Sequence, residues 1–108
     1  MDSIVNSAPG RDIDAATTLD QIGFWTLARV GFVRGSVLYS TDYIKFQISC
    51  DGRRKVWVII KLDANDTYSV EFGKIVKKFE WKVLEQISGV YCDMLSEVIE
   101  RGFQKVYA

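Results

Sequence analysis

Apolar and polar residues alternate through the middle of the chain. A strand is predicted over residues 37–49, where alternation from residue 43 on places Ile44, Phe46 and Ile48 on one face. Asp51-Gly52 follows, and this dipeptide is a favoured two-residue hairpin turn because both residues tolerate positive φ. The pattern predicts a β-hairpin around that turn.

The second strand of that hairpin covers residues 55–62 and is apolar on both faces. Such a run predicts a central strand that is covered on both sides or belongs to a curled sheet. After a short polar turn, alternation returns over residues 67–76, with Gly73 as a candidate bulge. Lys77-Lys78 predicts an exposed turn, and residues 79–87 predict a last strand.

The first third of the chain is less regular. Residues 1–16 are polar and carry no sustained apolar period, which predicts a flexible tail. Thr18, followed three residues later by Gln21, fits a capping box at the start of a short helix that Gly23 would end. Aromatic and β-branched residues without a strong helical period predict a strand over residues 24–33.

A helical pattern replaces the alternation near the C-terminus. Ser88-Gly89 interrupts the last strand, and Gly102 is predicted to end a helix that starts near residue 90. Its apolar stripe consists of Val90, Met94, Leu95, Val98 and Ile99. Together the elements predict an α+β fold in one domain over residues 17–108. Its curled antiparallel sheet of about five strands would have a short N-terminal helix and a C-terminal amphipathic helix covering one face.

The net charge of the chain is uninformative, but the distribution of charge along it adds candidate binding surfaces to the predicted fold. The 108 residues carry 14 basic and 14 acidic side chains, so the zero net charge gives no argument for a nucleic-acid or membrane partner. The middle is nevertheless basic, through Arg53, Arg54, Lys55, Lys61, Lys74, Lys77, Lys78 and Lys82. The C-terminal helix returns to acid with Glu85, Asp93, Glu97 and Glu100. These runs are either solvated faces or partner-binding faces.

Compartment follows from what the sequence lacks. No apolar N-terminal segment and no apolar run of about 18 residues is present, which predicts a cytoplasmic protein without a membrane span. Cys50 and Cys92 are then expected as free thiols, because cytosolic cysteines stay reduced.

Candidate chemistry is sparse. The chain has no histidine, so a Ser-His-Asp or Cys-His arrangement cannot form, and two cysteines alone do not make a zinc site. Asp63 and Asp66 lack the spacing of a calcium loop, and no glycine-rich phosphate loop is present. The sequence predicts a protein that is not an enzyme and that uses no metal or cofactor.

Basic and aromatic residues leave two alternatives open. Arg53-Arg54-Lys55 beside Trp57 could contact phosphates and stack on a base, or form a charged hairpin shoulder beside a packed tryptophan. One helix covers only one sheet face, so Trp57, Ile59 and Trp25 predict an apolar patch on the other. A partner protein, a second copy in a homodimer or the N-terminal segment would cover that patch.

Residues 22–103 resemble small uncharacterised proteins of phages and mobile elements. The resemblance rests on Asp-Thr-Tyr-x-Val-Glu-Phe at residues 66–72 and on Gly-Val-Tyr-x-Asp-x-Leu at residues 89–95. It departs over residues 26–33, where such proteins are richer in glycine and lysine. That family has no established activity, so no functional residue is transferred. The resemblance implies a binder or inhibitor of host machinery, a group that includes anti-CRISPR proteins.

Two functions are therefore expected. The first is a non-enzymatic protein-binding module, a phage-encoded, anti-CRISPR-like inhibitor that occludes a bacterial defence complex. It would present either the acidic helix face of Asp93, Glu97 and Glu100 or the basic sheet edge. The alternative is a nucleic-acid-binding protein that uses the basic sheet edge, formed by Arg53, Arg54, Lys55, Trp57, Lys74, Lys77, Lys78 and Lys82.

Overall fold

A computed structural model describes residues 15–50, 54–63, 67–77 and 80–107. The helices are α1 (Ala15–Ile22), α2 (Phe24–Arg29) and α3 (Leu95–Val106), the last preceded by a 3₁₀ turn at Cys92–Met94. The strands are β1 (Leu38–Tyr39), β2 (Tyr43–Ser49), β3 (Lys55–Leu62), β4 (Tyr68–Val76) and β5 (Glu80–Val90). All neighbours pair antiparallel in the order β1-β2-β3-β4-β5, which confirms the predicted α+β fold and the central position of β3.

The core lies between one face of the sheet and the three helices. Alternate residues of β2, β3 and β4 point into it, as the period of two requires. The described apolar side chains with no exposed surface are Ile44, Phe46, Ile48, Val58, Ile60, Val70, Phe72, Leu95 and Ile99. The predicted inward face of β2 is therefore confirmed, and Leu95 and Ile99 are the α3 residues that cover the sheet.

The pairing of β4 with β5 is irregular at two places. The register shifts between Tyr68 and Val70 and again between Phe72 and Gly73. At the second shift Leu84 is the additional residue, so the bulge predicted at Gly73 exists, but the extra residue belongs to β5. Beyond it Ile75 is 54% exposed and Val76 is half-buried.

The predicted strand over residues 24–33 is wrong, because residues 24–29 form α2. Thr18, Ile22, Thr26 and Val30 are all buried, and their spacing of four is that of a helix face. Packing of that stripe against the sheet and α3 overrides the β propensity of the segment, as tertiary context routinely does.

The first helix also differs at its start. It begins at Ala15, inside the segment predicted as a tail, so Thr18 is a buried residue of the helix body and does not cap it. Its end at Ile22 agrees with the prediction, because Gly23 has φ 94°, a conformation that glycine adopts without strain.

The C-terminal transition lies later in the chain than predicted. β5 continues through Ser88 and Gly89 to Val90, and α3 begins only at Leu95. Gly102 does not end the helix, which runs on to Val106. Gly102 is instead buried, and a Cβ there would overlap the Phe72 ring, so glycine permits close contact between α3 and the sheet.

Several predicted features fall partly or wholly outside the described residues: residues 1–14 of the predicted tail, the Asp51-Gly52 turn, residues 64–66 of the polar turn with Asp66, Lys78 of the Lys77-Lys78 turn, and residue 79 of the predicted last strand. The strand predicted over residues 37–49 is present as two, β1 and β2, separated at residues 40–42. Among the described helices, none has the length and apolar character needed to cross a membrane.

Candidate functional site

Two neighbouring aromatic side chains on α2 point away from the core. Phe24 and Trp25 are 74% and 72% exposed, and their rings meet edge to face with centroids 5.5 Å apart. They lie outward because Thr26 and Val30 of the same segment occupy the buried stripe. We call Phe24, Trp25 and the grooves beside them the α2 ridge.

Open apolar grooves lie next to Phe24. One encloses about 420 Å³ and is lined by Phe24, Leu27, Ala28, Gly31, Phe32 and Arg34. The other encloses about 560 Å³ and is lined by Ala16, Thr17, Leu19, Asp20, Phe24 and Leu27. Phe24 and Leu27 belong to both, so the exposed aromatic pair and the grooves form one continuous apolar surface. Asp20 and Arg34 give it a polar rim.

A polar clamp holds α2 against α3. Three donors converge on Oε2 of Glu100: Thr26 Oγ1 at 3.0 Å, Arg29 Nε at 3.2 Å, and Arg29 Nη2 in an ion pair. The hydrogen bonds from Arg29 and then Thr26 lower the pKa of the Glu100 carboxyl below its ordinary value. The ridge is therefore presented by a helix whose orientation is fixed by both apolar and charged contacts.

Among the described residues, no helix covers the sheet face opposite α1, α2 and α3. We call it the open face and define it by alternation along the strands: Lys45 and Gln47 of β2, Lys55, Trp57, Ile59 and Lys61 of β3, Ser69, Glu71, Gly73 and Ile75 of β4, and Trp81, Val83 and Gln86 of β5. Most of these side chains are half-buried or exposed, whereas the alternate residues of β2 and β3 and Val70 and Phe72 of β4, on the covered face, are buried.

Two tryptophans lie on the open face. Trp81 Nε1 donates to Oε2 of Glu71 at 2.8 Å, and a Cβ on Gly73 would overlap the Trp81 ring. The ring therefore lies over the bare backbone of Gly73. Trp57 is the register partner of Gly73 on the neighbouring strand, and Lys45 Nζ lies 5.3 Å from the centroid of its ring.

The residues of the predicted basic sheet edge do not form one surface. Lys55 and the β4–β5 residues Lys74 and Lys82 lie at the same end of the sheet, but Lys74 and Lys82 are opposite one another on the side away from the open face. Lys77 is exposed just beyond β4, while Arg53 and Lys78 lie outside the described residues.

Arg54 is engaged within the protein. Its Nη2 donates to Cys50 Sγ at 3.3 Å, and its guanidinium lies 5.5 Å from the centroid of the Tyr107 ring. Tyr107 in turn donates its hydroxyl to the carbonyl oxygen of Arg54. These contacts attach the C-terminal end of α3 to the start of β3.

The predicted acidic helix face is also divided. Glu100 turns inward to the clamp with Arg29, and Glu97 forms an exposed ion pair of 2.7 Å with Arg101 one turn later. Asp93 is exposed in the 3₁₀ turn before α3. The three carboxylates therefore meet different surroundings and do not form one uniform docking face.

Chemistry-bearing side chains remain dispersed. Cys50 and Cys92 are both free and exposed. Within the described part of the chain, no group of three or more potential metal ligands comes together. Asp63, considered above for calcium, accepts a hydrogen bond of 2.7 Å from Ser69 Oγ.

Sequence reasoning missed the α2 ridge and placed Trp25 with Trp57 and Ile59. The structure puts Trp25 on α2 and the other two on the open face, so the predicted patch is two surfaces. Every fourth residue from Thr18 to Val30 is buried, but two of these four are threonines, so the sequence shows no apolar stripe that would have identified the helix.

Comparison with known proteins adds no relative: no protein-family model, curated protein or solved structure matches this chain significantly.

Proposed function

We propose that this chain is a non-enzymatic protein-binding module that uses the α2 ridge as its anchor. The observation that carries the proposal is the exposure of Phe24 and Trp25 side by side on a helix fixed by the Glu100 clamp. Aromatic side chains that enter a partner's pocket dominate the energy of many protein interfaces. Rigid presentation lowers the entropic cost of binding.

The surroundings of the ridge support the same reading. Large exposed apolar patches with a polar rim mark protein interaction sites. Here the grooves beside Phe24 would receive apolar side chains of the partner, and Asp20 and Arg34 at the rim would orient it. This surface replaces the acidic helix face and the basic sheet edge as the first candidate for docking.

An inhibitor that acts by occlusion is the role we propose for the module. Binding alone suffices for occlusion, so the dispersed reactive side chains are compatible with it. The resemblance to small phage and mobile-element proteins supports a bacterial defence complex as the target, reached in the host cytoplasm. An anti-CRISPR-like activity belongs to this proposal.

Paired variants test the ridge. Tagged wild type, Phe24→Ala/Trp25→Ala and Tyr39→Ala are used for capture from the lysate of a phage host, and captured proteins are quantified against the bait. Tyr39 is 69% exposed on β1 and serves as the matched control for loss of an exposed aromatic ring. We expect a stoichiometric partner with wild type and Tyr39→Ala that is lost with the double variant.

Folding and binding are separable in this test. Exposed side chains contribute little to stability, so the double variant should unfold within about 0.5 kcal/mol of wild type per substitution. Circular dichroism melting checks this. A partner that stays bound to the folded double variant contradicts the proposed anchor, and the absence of any stoichiometric partner contradicts the protein-binding function.

A further inference from the structure

We propose that the open face binds single-stranded nucleic acid, at a site separate from the α2 ridge. This moves the nucleic-acid alternative from the sheet edge to the face. The inference does not depend on the protein-binding function, because it rests on other residues. Its three supports are the tryptophan geometry, the unpaired lysines and the position of the face's carboxylate.

Trp81 has the geometry of a stacking platform. Atoms of its six-membered ring lie against the Gly73 backbone, and the side chain is only half-buried, so part of the indole is open to a base. The bond from Nε1 to Glu71 fixes the ring in this orientation. Trp57 lies on β3, on the other side of β4 from Trp81, and is the register partner of Gly73. Every base has a flat π face, so any base can stack on such a ring, whatever the nucleotide sequence.

The charge of the open face favours an anionic ligand. Lys45, Lys55 and Lys61 lie on it, and none of them forms an ion pair with a carboxylate in the described part of the chain. Lys45 is close to Trp57, so a cation and a stacking ring are adjacent. Phosphates along a strand would meet the lysines while bases meet the rings.

Glu71 is the carboxylate among the open-face residues defined above, and it is already engaged. Its Oε2 accepts from Trp81 at 2.8 Å and its Oε1 accepts from Gln86 Nε2 at 3.4 Å. Two donors therefore offset its charge, and its function here is to position the indole. The carboxylate of Asp63 also reaches this face through Ser69, but three lysines outnumber the two carboxylates, so the face keeps a net positive charge.

A second copy of the chain is a poorer fit to this face. Face-to-face packing of two copies would bury unpaired lysines, which are depleted from the cores of protein interfaces. A double helix is also a poorer fit, since its bases are stacked on each other and unavailable to flat rings. Charge and ring geometry together select a single strand.

Fluorescence anisotropy of a labelled oligothymidylate of about 15 nucleotides tests the proposal, at about 50 mM salt. Binding should weaken with salt with a log–log slope near −2, the value for about three neutralised phosphates on a single strand. Trp81→Leu should weaken binding about tenfold, the loss of one stacked base. Lys45→Gln/Lys61→Gln should weaken binding and reduce the salt slope.

Lys74→Gln/Lys82→Gln is the matched control, because it removes the same charge from the other side of the same sheet. This variant should bind the oligonucleotide within about twofold of the wild-type affinity, with a nearly unchanged salt slope. Equal losses in the two lysine pairs would overturn the proposal in favour of non-specific attraction. If poly-glutamate binds as tightly as the oligonucleotide, and if Trp81→Leu does not weaken that binding, the ligand of the face is an acidic protein.

Two further results would overturn the proposal. One is no anisotropy change at about 50 mM salt. The other is a concentration-dependent dimer in sedimentation that Trp81→Leu dissociates, which would assign the face to a second copy. The lysine variants keep the test valid if Trp81→Leu fails to fold, because Lys61 is exposed and Lys45 is half-buried.

Discussion

The two faces of the central strands are built from different residues and are held in different ways. On the covered face, Val58, Ile60 and Phe72 have no exposed surface and are fixed by the helices packed on them. On the open face, Trp57 and Trp81 are fixed by Lys45 and Glu71, within the same layer. The covered face should therefore determine stability, and the open face should be free to serve binding.

Glycine marks the tightest place on each face. Gly102 of α3 lies against Phe72 on the covered side, and Gly73 lies under Trp81 on the open side. Both positions exclude a Cβ. They differ in whether the obstructing ring can move, since Phe72 is enclosed and Trp81 has solvent beside it. The difference between the two faces can be tested by truncating a large side chain and by substituting the glycine on each face.

The largest effect is expected from truncating a covered-face ring. Phe72→Ala should lower the free energy of unfolding by about 3–5 kcal/mol, because it leaves a cavity among fully buried side chains. Ile59→Ala on the open face should cost about 1 kcal/mol, because the side chain is only half-buried. Urea unfolding measures both. A cost at Ile59 equal to that at Phe72 would contradict an uncovered face.

Adding one methyl group at each glycine should give a smaller contrast. Alanine favours a helix over glycine by about 1 kcal/mol, yet Gly102→Ala should still destabilise by about 1–3 kcal/mol, since the Phe72 ring cannot move away. Gly73→Ala should also destabilise, because its Cβ would meet the Trp81 ring and the Lys82 carbonyl oxygen, and of these two only the ring can rotate outward. It should also red-shift tryptophan emission as the indole becomes more exposed.

Matched thermal melts and emission spectra of the two glycine variants decide this prediction. Equal destabilisation without a spectral change in Gly73→Ala would show that the Trp81 ring is as immobile as that of Phe72. The open face would then be a second packed layer.

The smallest effect concerns the clamp on the helix side. Because folding lowers the pKa of Glu100, its ionised form stabilises the fold fully above about pH 4.5, and this contribution is lost as pH falls through the lowered folded pKa. An ion pair this exposed to solvent contributes on the order of 1 kcal/mol or less. Glu100→Gln should therefore flatten the acid side of the stability profile.

The control for the clamp is Glu97→Gln, which removes one negative charge from the same helix without touching α2. Melting temperatures measured from about pH 6 to pH 3 compare the two variants. Indistinguishable profiles would contradict a clamp that depends on ionised Glu100.

Prediction from sequence succeeded where one face of a segment is buried. The alternation in β2 repeats the inside–outside alternation of the folded strand, so Ile44, Phe46 and Ile48 were placed correctly. β3 was bounded correctly as well, and its two apolar faces marked the central strand. These assignments need only the local period of the backbone.

Prediction failed where a strong local preference conflicted with packing. Residues 24–29 are rich in strand formers, yet the buried stripe through Thr26 and Val30 makes them helical. Ser88-Gly89 looked like an end of β5, yet pairing with β4 carries the strand to Val90. In both cases a distant part of the chain supplies the contacts, which a window of neighbouring residues does not contain.

The sequence by itself determined the fold class, the central strand and the residues of the covered face, because burying one face imposes a period on the chain. Only the tertiary structure decided which aromatics remain outside. It turned Phe24 and Trp25 outward by packing their helical neighbours, and it laid Trp81 over Gly73 by pairing two strands. Both candidate surfaces depend on such long-range contacts, which no local pattern records.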